Sequence, residues 1–401
     1  MDTKQSRTAA TERPEPSNFL GLEELLTEEE LAVRDGARAF VQEEIAPYIR
    51  EWYEHAHFPK EIVPKMGEQG LLGMHLSGYG CAGRSAVEYG LACMELEAGD
   101  TSLRTFVSVQ GSLAMSAIHK FGSEEQKRAW LPPLARGEAI AAFGLTEPEA
   151  GSDPASMESF ARRDGDDWVL NGRKRWIGMG SIADVVVVWA RTDEEGNPVR
   201  GFLVPTDTPG YEAIDIEHKL SLRASIQSEL HFEDLRLPED ALLPEAEGLR
   251  GPFTCLGEAR YGIIWGVLGA ARDCYETALS YSKEREQFGK SIASFQLTQK
   301  KLVDMMLEIE KGLLVAWRIG RLKDEGVVRP EHISFGKLNN VRESLEIARE
   351  SRTILGGNGV TLEYPVMRHM SNLESVLTYE GTSEVHTLIL GNALSGTPAF
   401  K

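Results

Sequence analysis

Several short stretches of this 401-residue chain carry residue types that can do chemistry. In TYEGTSEVH, Thr378 to His386, Glu380 lies between Tyr379 and Gly381, and Thr382 is placed to cap a following helix. A carboxylate on a short constrained loop can take a proton from a bound molecule, although a lone loop glutamate is ordinarily just solvated. LTEPEAGSD, Leu145 to Asp153, can present backbone and hydroxyl donors, with Thr146 and Ser152, to a flat polar ring; it can also be an ordinary turn. In SKEREQFG, Ser282 to Gly289, the forked guanidinium of Arg285 suits a phosphate or simply ends a helix with charge. Gly356 and Gly357, in LGGNG, permit close backbone approach to a ligand or stop a helix.

Arg104, in GDTSLRTFVSVQ, has apolar neighbours Leu103, Phe106 and Val107 that predict a half-buried helix. A buried guanidinium needs an anion. Glu97, two helical turns earlier, can supply one internally; an incoming ligand is the other source. Two further patterns lead elsewhere. Gly78 to Gly83, GYGCAG, matches the glycine spacing of a dinucleotide-binding turn, but the surrounding patterns are helical and no βαβ unit encloses it. His55 and His57 have no third ligand cluster, so no metal is expected.

These stretches must be positioned by a frame whose period changes twice. Thr27 and Glu30 form a capping box that opens a helix bearing Ala37, Val41, Ile45 and Tyr48 on one face. Helical patterns punctuated by Gly and Pro continue to about Gly137. DWVL, an Asn171-Gly172 turn, KRWIG, ADVVVVWA, GFLVP and ELHFEDLRL then read as strands, and long helical blocks return from about Gly251. The order predicts an α+β multi-domain chain: a flexible tail (1–19), a helical region (20–140), a β region (141–250) and a second helical region (251–401).

A formal charge of −19 repels nucleic acid and anionic lipid. No apolar run reaches the roughly 18 residues of a membrane span. Cys81, Cys93, Cys255 and Cys274 are scattered without a CxxC pair, which points to a reducing, cytoplasmic setting.

Together, LTEPEAGSD, SKEREQFG and TYEGTSEVH, in this order across a helix, strand, helix chain, resemble the acyl-CoA dehydrogenase family from about residue 20 onward. The resemblance implies a helical N-terminal domain, a β-barrel-like middle domain, a C-terminal four-helix bundle, assembly as a homotetramer, and FAD held between subunits. It implies that Glu380 removes the α-proton of an acyl-CoA thioester while the β-hydrogen leaves as hydride to the flavin, with electron-transfer flavoprotein as acceptor. Phe143, Leu145, Thr146 and Ser152 would then lie against the flavin or the nearby thioester, and Trp176, Ile177 and Gly178 beside the flavin ring. Arg285, Phe288 and Gln296 would reach the cofactor of a neighbouring subunit; Gly356, Gly357, Thr382 and Glu384 complete the cofactor contacts. Arg260, Tyr261, Gly381 and Phe400 are implied on the substrate side.

Similarity to the glutaryl-CoA dehydrogenase branch runs through GYGCAG, VSVQGSLAM, ARYGIIWGVLGA, GRLKDE and ILGNALSGTPAF. In that branch the residue matching Arg104 binds the substrate's distal carboxylate, with the matches of Thr105 and Glu97 close by. The implied reaction is glutaryl-CoA to crotonyl-CoA with loss of carbon dioxide, although relatives with this Arg that omit decarboxylation exist. One departure concerns Gly178, where the family commonly has Thr and where related short-chain acyl-CoA oxidases share the WIG sequence; it leaves the electron acceptor open. A short-chain or branched acyl-CoA dehydrogenase with Arg104 paired internally, a short-chain acyl-CoA oxidase, and a non-catalytic flavoprotein remain as alternatives. The retained Glu380 argues against the last.

Overall fold

The computed structural model describes residues 18–398, so Phe400 and residues 1–17 of the expected tail lie outside the described residues. Helix α1 (Glu28–Phe40) opens on the expected capping box: Thr27 Oγ1 accepts from the Glu30 N–H and the Glu30 carboxylate accepts from the Thr27 N–H. Helices α2 (Ile49–Glu54) and α3 (Ile62–Glu68) follow, and then β1 (Ser77–Gly78) pairs with β2 (Cys81–Ala82) as a small hairpin. The glycines of GYGCAG thus turn a hairpin between two helices. Helix α4 (Ala86–Gly99) is buried almost all round. Helix α5 (Thr101–Val107), capped by Asp100, runs into a π-helical stretch (Ser108–Met115), then α6 (Ser116–Phe121) and α7 (Glu124–Ala135).

The middle of the chain is a curled seven-stranded sheet. Strand β3 (Ala141–Gly144) and β4 (Phe160–Asp164) pair in parallel with successive lengths of β6 (Val185–Thr192), and β7 (Val199–Pro205) pairs antiparallel to β6. This explains why VVVVWA is apolar on both faces: it is interior to the sheet and covered on each side. The long β5 (Asp167–Gly178) pairs with β4 and β9 (Gln227–Leu237), and β8 (Tyr211–Asp215) forms the far edge. Two register shifts interrupt β5, the second between Lys174 and Ile177, and there Trp176 takes a φ of 63° and turns out to 54% exposure.

The last third holds α8 (Arg250–Glu284), a short hairpin of β10 (Glu286–Gln287) and β11 (Lys290–Ser291), α9 (Gln296–Asp324), α10 (Pro330–Leu355), α11 (Val366–Val376) and α12 (Ser383–Ser395). One core cluster draws from all three stretches, joining Phe40 and Leu96 to Trp168 and Leu230 and to Trp265 and Ile319. Small residues let α8 press against α4. A Cβ at Gly269 would overlap the Met94 carbonyl, and one at Gly90 would enter the Trp265 ring.

Polar staples fix α11, from which the TYEGTSEVH loop issues. The Asp100 carboxylate caps α5 through the Ser102 N–H at 2.7 Å and also receives Asn372 Nδ2 at 2.9 Å and the Arg368 guanidinium. Asn372 Oδ1 in turn accepts the Leu222 N–H at 2.7 Å, and Ser221 and Ser375 hydroxyls meet at 2.6 Å. The middle sheet and the N-terminal helices therefore both set where α11 ends.

Candidate active site

Glu380 sits in the turn between α11 and α12. The Thr382 hydroxyl accepts from the Val385 N–H at 3.3 Å, so the expected cap is present, and Glu384 lies exposed in the first helical turn. Glu380 and Gly381 both have positive φ, 55° and 96°. A side-chain-bearing residue there costs on the order of 1 kcal/mol or more and persists only when its surroundings hold it. They do: Arg260 Nε donates to the Glu380 carbonyl at 2.6 Å, and Lys337 Nζ donates to the carbonyls of Tyr379 at 2.7 Å and Gly381 at 2.6 Å. Beneath Gly381, a Cβ would come 2.9 Å from His386 Nε2, while His386 Nδ1 meets the Ser334 hydroxyl at 3.0 Å.

Part of the Glu380 residue is open, yet Oε2 is closed to solvent and has no partner among the described residues. Burial raises its pKa above the ordinary carboxylate value; Arg104, Lys337 and Arg260 oppose that shift. A carboxylate moved upward toward neutrality is a better proton acceptor than a fully stabilised one, because its conjugate acid is weaker.

Arg104 and Glu97 are both fully buried, with Arg104 Nε donating to Glu97 Oε2 at 2.6 Å. The internal pair therefore exists. It leaves donors over: Nη2 reaches the Tyr379 hydroxyl at 2.7 Å, and Nη1 has no partner among the described residues. Thr105 Oγ1 lies 3.3 Å from the same Tyr379 hydroxyl, and Thr101 Oγ1 donates to Glu97 Oε1 at 3.0 Å. Tyr379 thereby links the guanidinium to the residue next to Glu380. Gly266 of α8 makes room for the pair, since a Cβ there would overlap Glu97 Oε2 and come 3.1 Å from Arg104 Nε. Gly266→Ala is expected to cost about 1–3 kcal/mol of stability and to shift Arg104. A melting curve and substrate kinetics check this; wild-type stability and KM would show that the pocket has slack.

The sheet side supplies a second group of residues. Phe143 and Leu145 are core residues, Phe143 lying against Trp189 at 5.9 Å between ring centres. Thr146 accepts the Arg175 N–H through its carbonyl at 2.8 Å, and Ser152 is exposed. Behind this loop, Lys174 Nζ donates to Glu147 Oε1 at 2.7 Å and to the Leu145 carbonyl at 3.1 Å. Burial pushes Lys174 down to about 8, with Glu147 opposing. Next to exposed Trp176, Ile177 is buried, and a Cβ at Gly178 would stand 3.3 Å from Val109 Cγ2. Gly178 thus leaves space against the π-helical stretch where a Thr would press.

A third group lies at the end of the C-terminal helices. Arg285, Phe288 and Gln296 are all exposed, Phe288 by 94%, and Gly356 and Gly357 are exposed at the end of α10. No hydrogen bond or ion pair joins this group to the Trp176 or Glu380 groups among the described residues.

Tyr261, expected on the substrate side, lies inside the protein. It is fully buried, its hydroxyl donates to the Ala86 carbonyl at 2.7 Å and accepts from Trp265 Nε1 at 2.9 Å, and it packs α8 on α4. Its neighbour Arg260 turns the other way and reaches the Glu380 loop. Sequence reasoning missed Lys337, Gly266 and the Lys174–Glu147 pair. Lys337 left a signal: it occupies the buried face of α10 with Ile333 and Val341 one turn to either side. His55 and His57 are exposed, and no group of metal-ligating side chains occurs among the described residues.

Three family models match the chain in order: acyl-CoA dehydrogenase N-terminal domain over 27–138, middle domain over 142–235 and C-terminal domain over 246–395. The chain belongs to the acyl-CoA dehydrogenase family. Within it, the chain is similar to a glutaryl-CoA dehydrogenase from Mycobacterium smegmatis, with 60% identity, a TM-score of 0.95, and coverage of 97% of this chain and 100% of that one. A second structure, of a glutaryl-CoA dehydrogenase from the same organism in complex with FADH2, is 57% identical with the same TM-score and coverage. The mitochondrial short-chain specific acyl-CoA dehydrogenase of Bos taurus is 37% identical over 376 residues, 92% of this chain and 90% of that protein. No helix among the described residues is long and apolar enough to cross a membrane.

Proposed function

We propose that this protein is an FAD-dependent dehydrogenase of a dicarboxylyl-CoA thioester, with glutaryl-CoA as substrate and crotonyl-CoA and carbon dioxide as products. The observation that carries the substrate class is the buried Arg104 Nη1, a charged donor that Glu97 and Tyr379 leave without a partner beside the Glu380 loop. An unpaired buried donor of this kind costs about 1–3 kcal/mol or more, and a substrate carboxylate would satisfy it. A monocarboxylic thioester would not.

Glu380 takes the α-proton, and the β-hydrogen leaves with its electron pair, so that a C=C bond forms between the two carbons. Bound FAD supplies the hydride acceptor. Exposed Trp176, with Ile177 and Gly178 after it and Thr146 tied to the preceding Arg175 N–H, suits a flat ring, to which exposed Ser152 of the same loop as Thr146 would add a hydroxyl; Thr382 with Glu384 lies near the base, and buried Phe143 and Leu145 would support that wall from behind. Arg285, Phe288, Gln296, Gly356 and Gly357 form an uncovered surface that suits contact with a neighbouring subunit's cofactor in a homotetramer. The distal carboxylate then sits on the carbon γ to the thioester, vinylogously placed, and can leave as carbon dioxide; the electron pair of the broken C–C bond delocalises through the new C=C into the thioester, and the γ-carbon takes a proton, which protonated Glu380 can return. Arg260 and Gly381 border the substrate from the loop side.

Electron-transfer flavoprotein is the acceptor in this reading, and the four unbridged cysteines suit a reducing compartment such as the cytoplasm. Oxygen is the rival acceptor, favoured by the missing side chain at Gly178. Hydrogen peroxide release under air, with no other acceptor present, would support the oxidase.

The deciding experiment is anaerobic bleaching of the flavin by glutaryl-CoA, butyryl-CoA and isobutyryl-CoA, with mass analysis of products. Bleaching by glutaryl-CoA with crotonyl-CoA formed is expected. Glutaconyl-CoA would remove decarboxylation, and bleaching by the monocarboxylic thioesters alone would reduce Arg104 to an internal ion-pair partner.

A further inference from the structure

Lys337 is 2% exposed in the middle of α10, where an ammonium is out of place unless it is fully bonded. Its partners are the carbonyls of Val376 at 3.3 Å, Tyr379 at 2.7 Å and Gly381 at 2.6 Å. An ammonium has three N–H donors, and here it has three acceptors. One belongs to the last residue of α11, where a cation is also favoured by the helix dipole, and the other two flank Glu380 in the chain.

With half-buried Arg260 on the Glu380 carbonyl and buried Lys337 on its neighbours, three consecutive carbonyls, of residues 379, 380 and 381, are held by cations. Every described peptide bond is trans, so the Glu380 N–H points opposite to the Tyr379 carbonyl, away from Lys337. That N–H meets no protein acceptor among the described residues. One turn earlier on the same helix, Ser334 holds His386 of α12. Helix α10 therefore grips the loop at its start, at its middle and at the helix that follows.

We propose that Lys337 is a positioning residue for the dehydrogenation: by binding the peptide groups on both sides of Glu380, it fixes the left-handed turn that presents the carboxylate to the substrate. This rests on the reading of Glu380 as the base. The charge of Lys337 has a second effect, because with Arg104 and Arg260 it opposes the upward push of burial on the Glu380 pKa, while Glu97 adds to that push. Lys337 is itself lowered by burial, with Glu380 raising it and Arg260 and Arg104 lowering it further. Tyr379 and His386 are the other titratable groups against the loop, and burial pushes them up to about 12 and down to about 3, so both stay neutral through the working range.

The test uses the FAD-loaded full-length protein with Lys337→Met and, as the variant that keeps a donor and a similar length, Lys337→Gln. Flavin content, thermal midpoint, kcat, KM and the pH dependence of kcat are measured for each. A positioning role predicts that kcat falls by about 100-fold or more in Lys337→Met, in line with the sensitivity of catalysis to misplacement by about 1 Å, while KM changes little. Removing the cation lets the Glu380 pKa rise, so the acid limb of the kcat profile moves to higher pH in both variants. Lys337→Gln should recover part of kcat but none of that displacement. If Lys337→Met does not fold, Lys337→Gln decides by its acid limb alone. A folded, flavin-bearing variant with wild-type kcat and an unmoved acid limb overturns the proposal. Glu380→Gln separates the two ideas: if it is inactive while the Lys337 variants behave as wild type, only the positioning role falls, and if it turns over normally, the base assignment falls and takes the positioning role with it.

Discussion

Glu380→Gln is expected to keep the fold and the flavin while kcat falls by about 10²–10⁴-fold, the usual contribution of a positioned general base. The amide has nearly the same shape and no basic lone pair on a par with the carboxylate. Arg260 and Lys337 hold the loop through main-chain carbonyls, which the substitution leaves in place. Its effect on stability has the opposite sign. Burial raises the folded-state pKa of Glu380 above the ordinary 4.5, so the folded state binds the proton more tightly than the unfolded chain. That contribution is fully present below the unfolded value and is lost as pH rises through the raised one. The Gln variant lacks the burden of an ionised buried carboxylate, so its melting temperature should equal or exceed that of the wild type at pH 8. The advantage should shrink toward pH 4. Melting curves across that range, read beside single-turnover bleaching, check both effects. A variant that bleaches at the wild-type rate removes Glu380 from the chemistry.

Replacing Arg104 is expected to have the second large effect, and it must be separated from a folding defect. Arg104→Ala would strand Glu97, which is fully buried, and breaking a buried pair from one side costs about 3–5 kcal/mol of stability. The informative variant is therefore Arg104→Gln with Glu97→Gln, which removes both charges and keeps hydrogen-bonding side chains in the space beside Gly266. Loss of a buried charge-assisted contact should cost about 2–5 kcal/mol in kcat/KM for glutaryl-CoA, roughly 30-fold to several thousandfold. Turnover of butyryl-CoA, which has no distal carboxylate, should change little. Equal losses on both substrates would show that the Arg104–Glu97 pair only holds α4 to α5.

Much of the frame was legible in the sequence because its signals are local. The Thr27–Glu30 capping box, the Thr382 cap, the change of period after Gly137 and the return of long helices at Gly251 each depend on residues within a turn or two of one another. The loop that carries Glu380 was legible for a related reason, since the Thr382 cap follows it directly, but the residues alone favoured a solvated glutamate there and only the resemblance singled out Glu380 as a base. The apolar run VVVVWA marked a buried strand, although its parallel pairing with two different strands on one edge could not be read from it.

The sequence by itself determined the order of helices and strands, their caps and the loop that carries Glu380; it offered Glu97 to Arg104 as a partner on one helix, whereas the chain breaks at extended Asp100 and the pair joins α4 to α5. Tertiary structure alone decided which charges the loop meets. Lys337 and Arg260 lie 43 and 120 residues from Glu380 along the chain, and neither has a local signal of its partner. It also decided that Tyr261 packs α8 on α4 while Arg260, one residue away, turns to the loop, and that Gly266 leaves room for an ion pair between α4 and α5. The physical reason is range: helix and strand periodicity and end caps are satisfied within a few residues of backbone, whereas a buried cation takes whichever acceptors the packed elements bring to it.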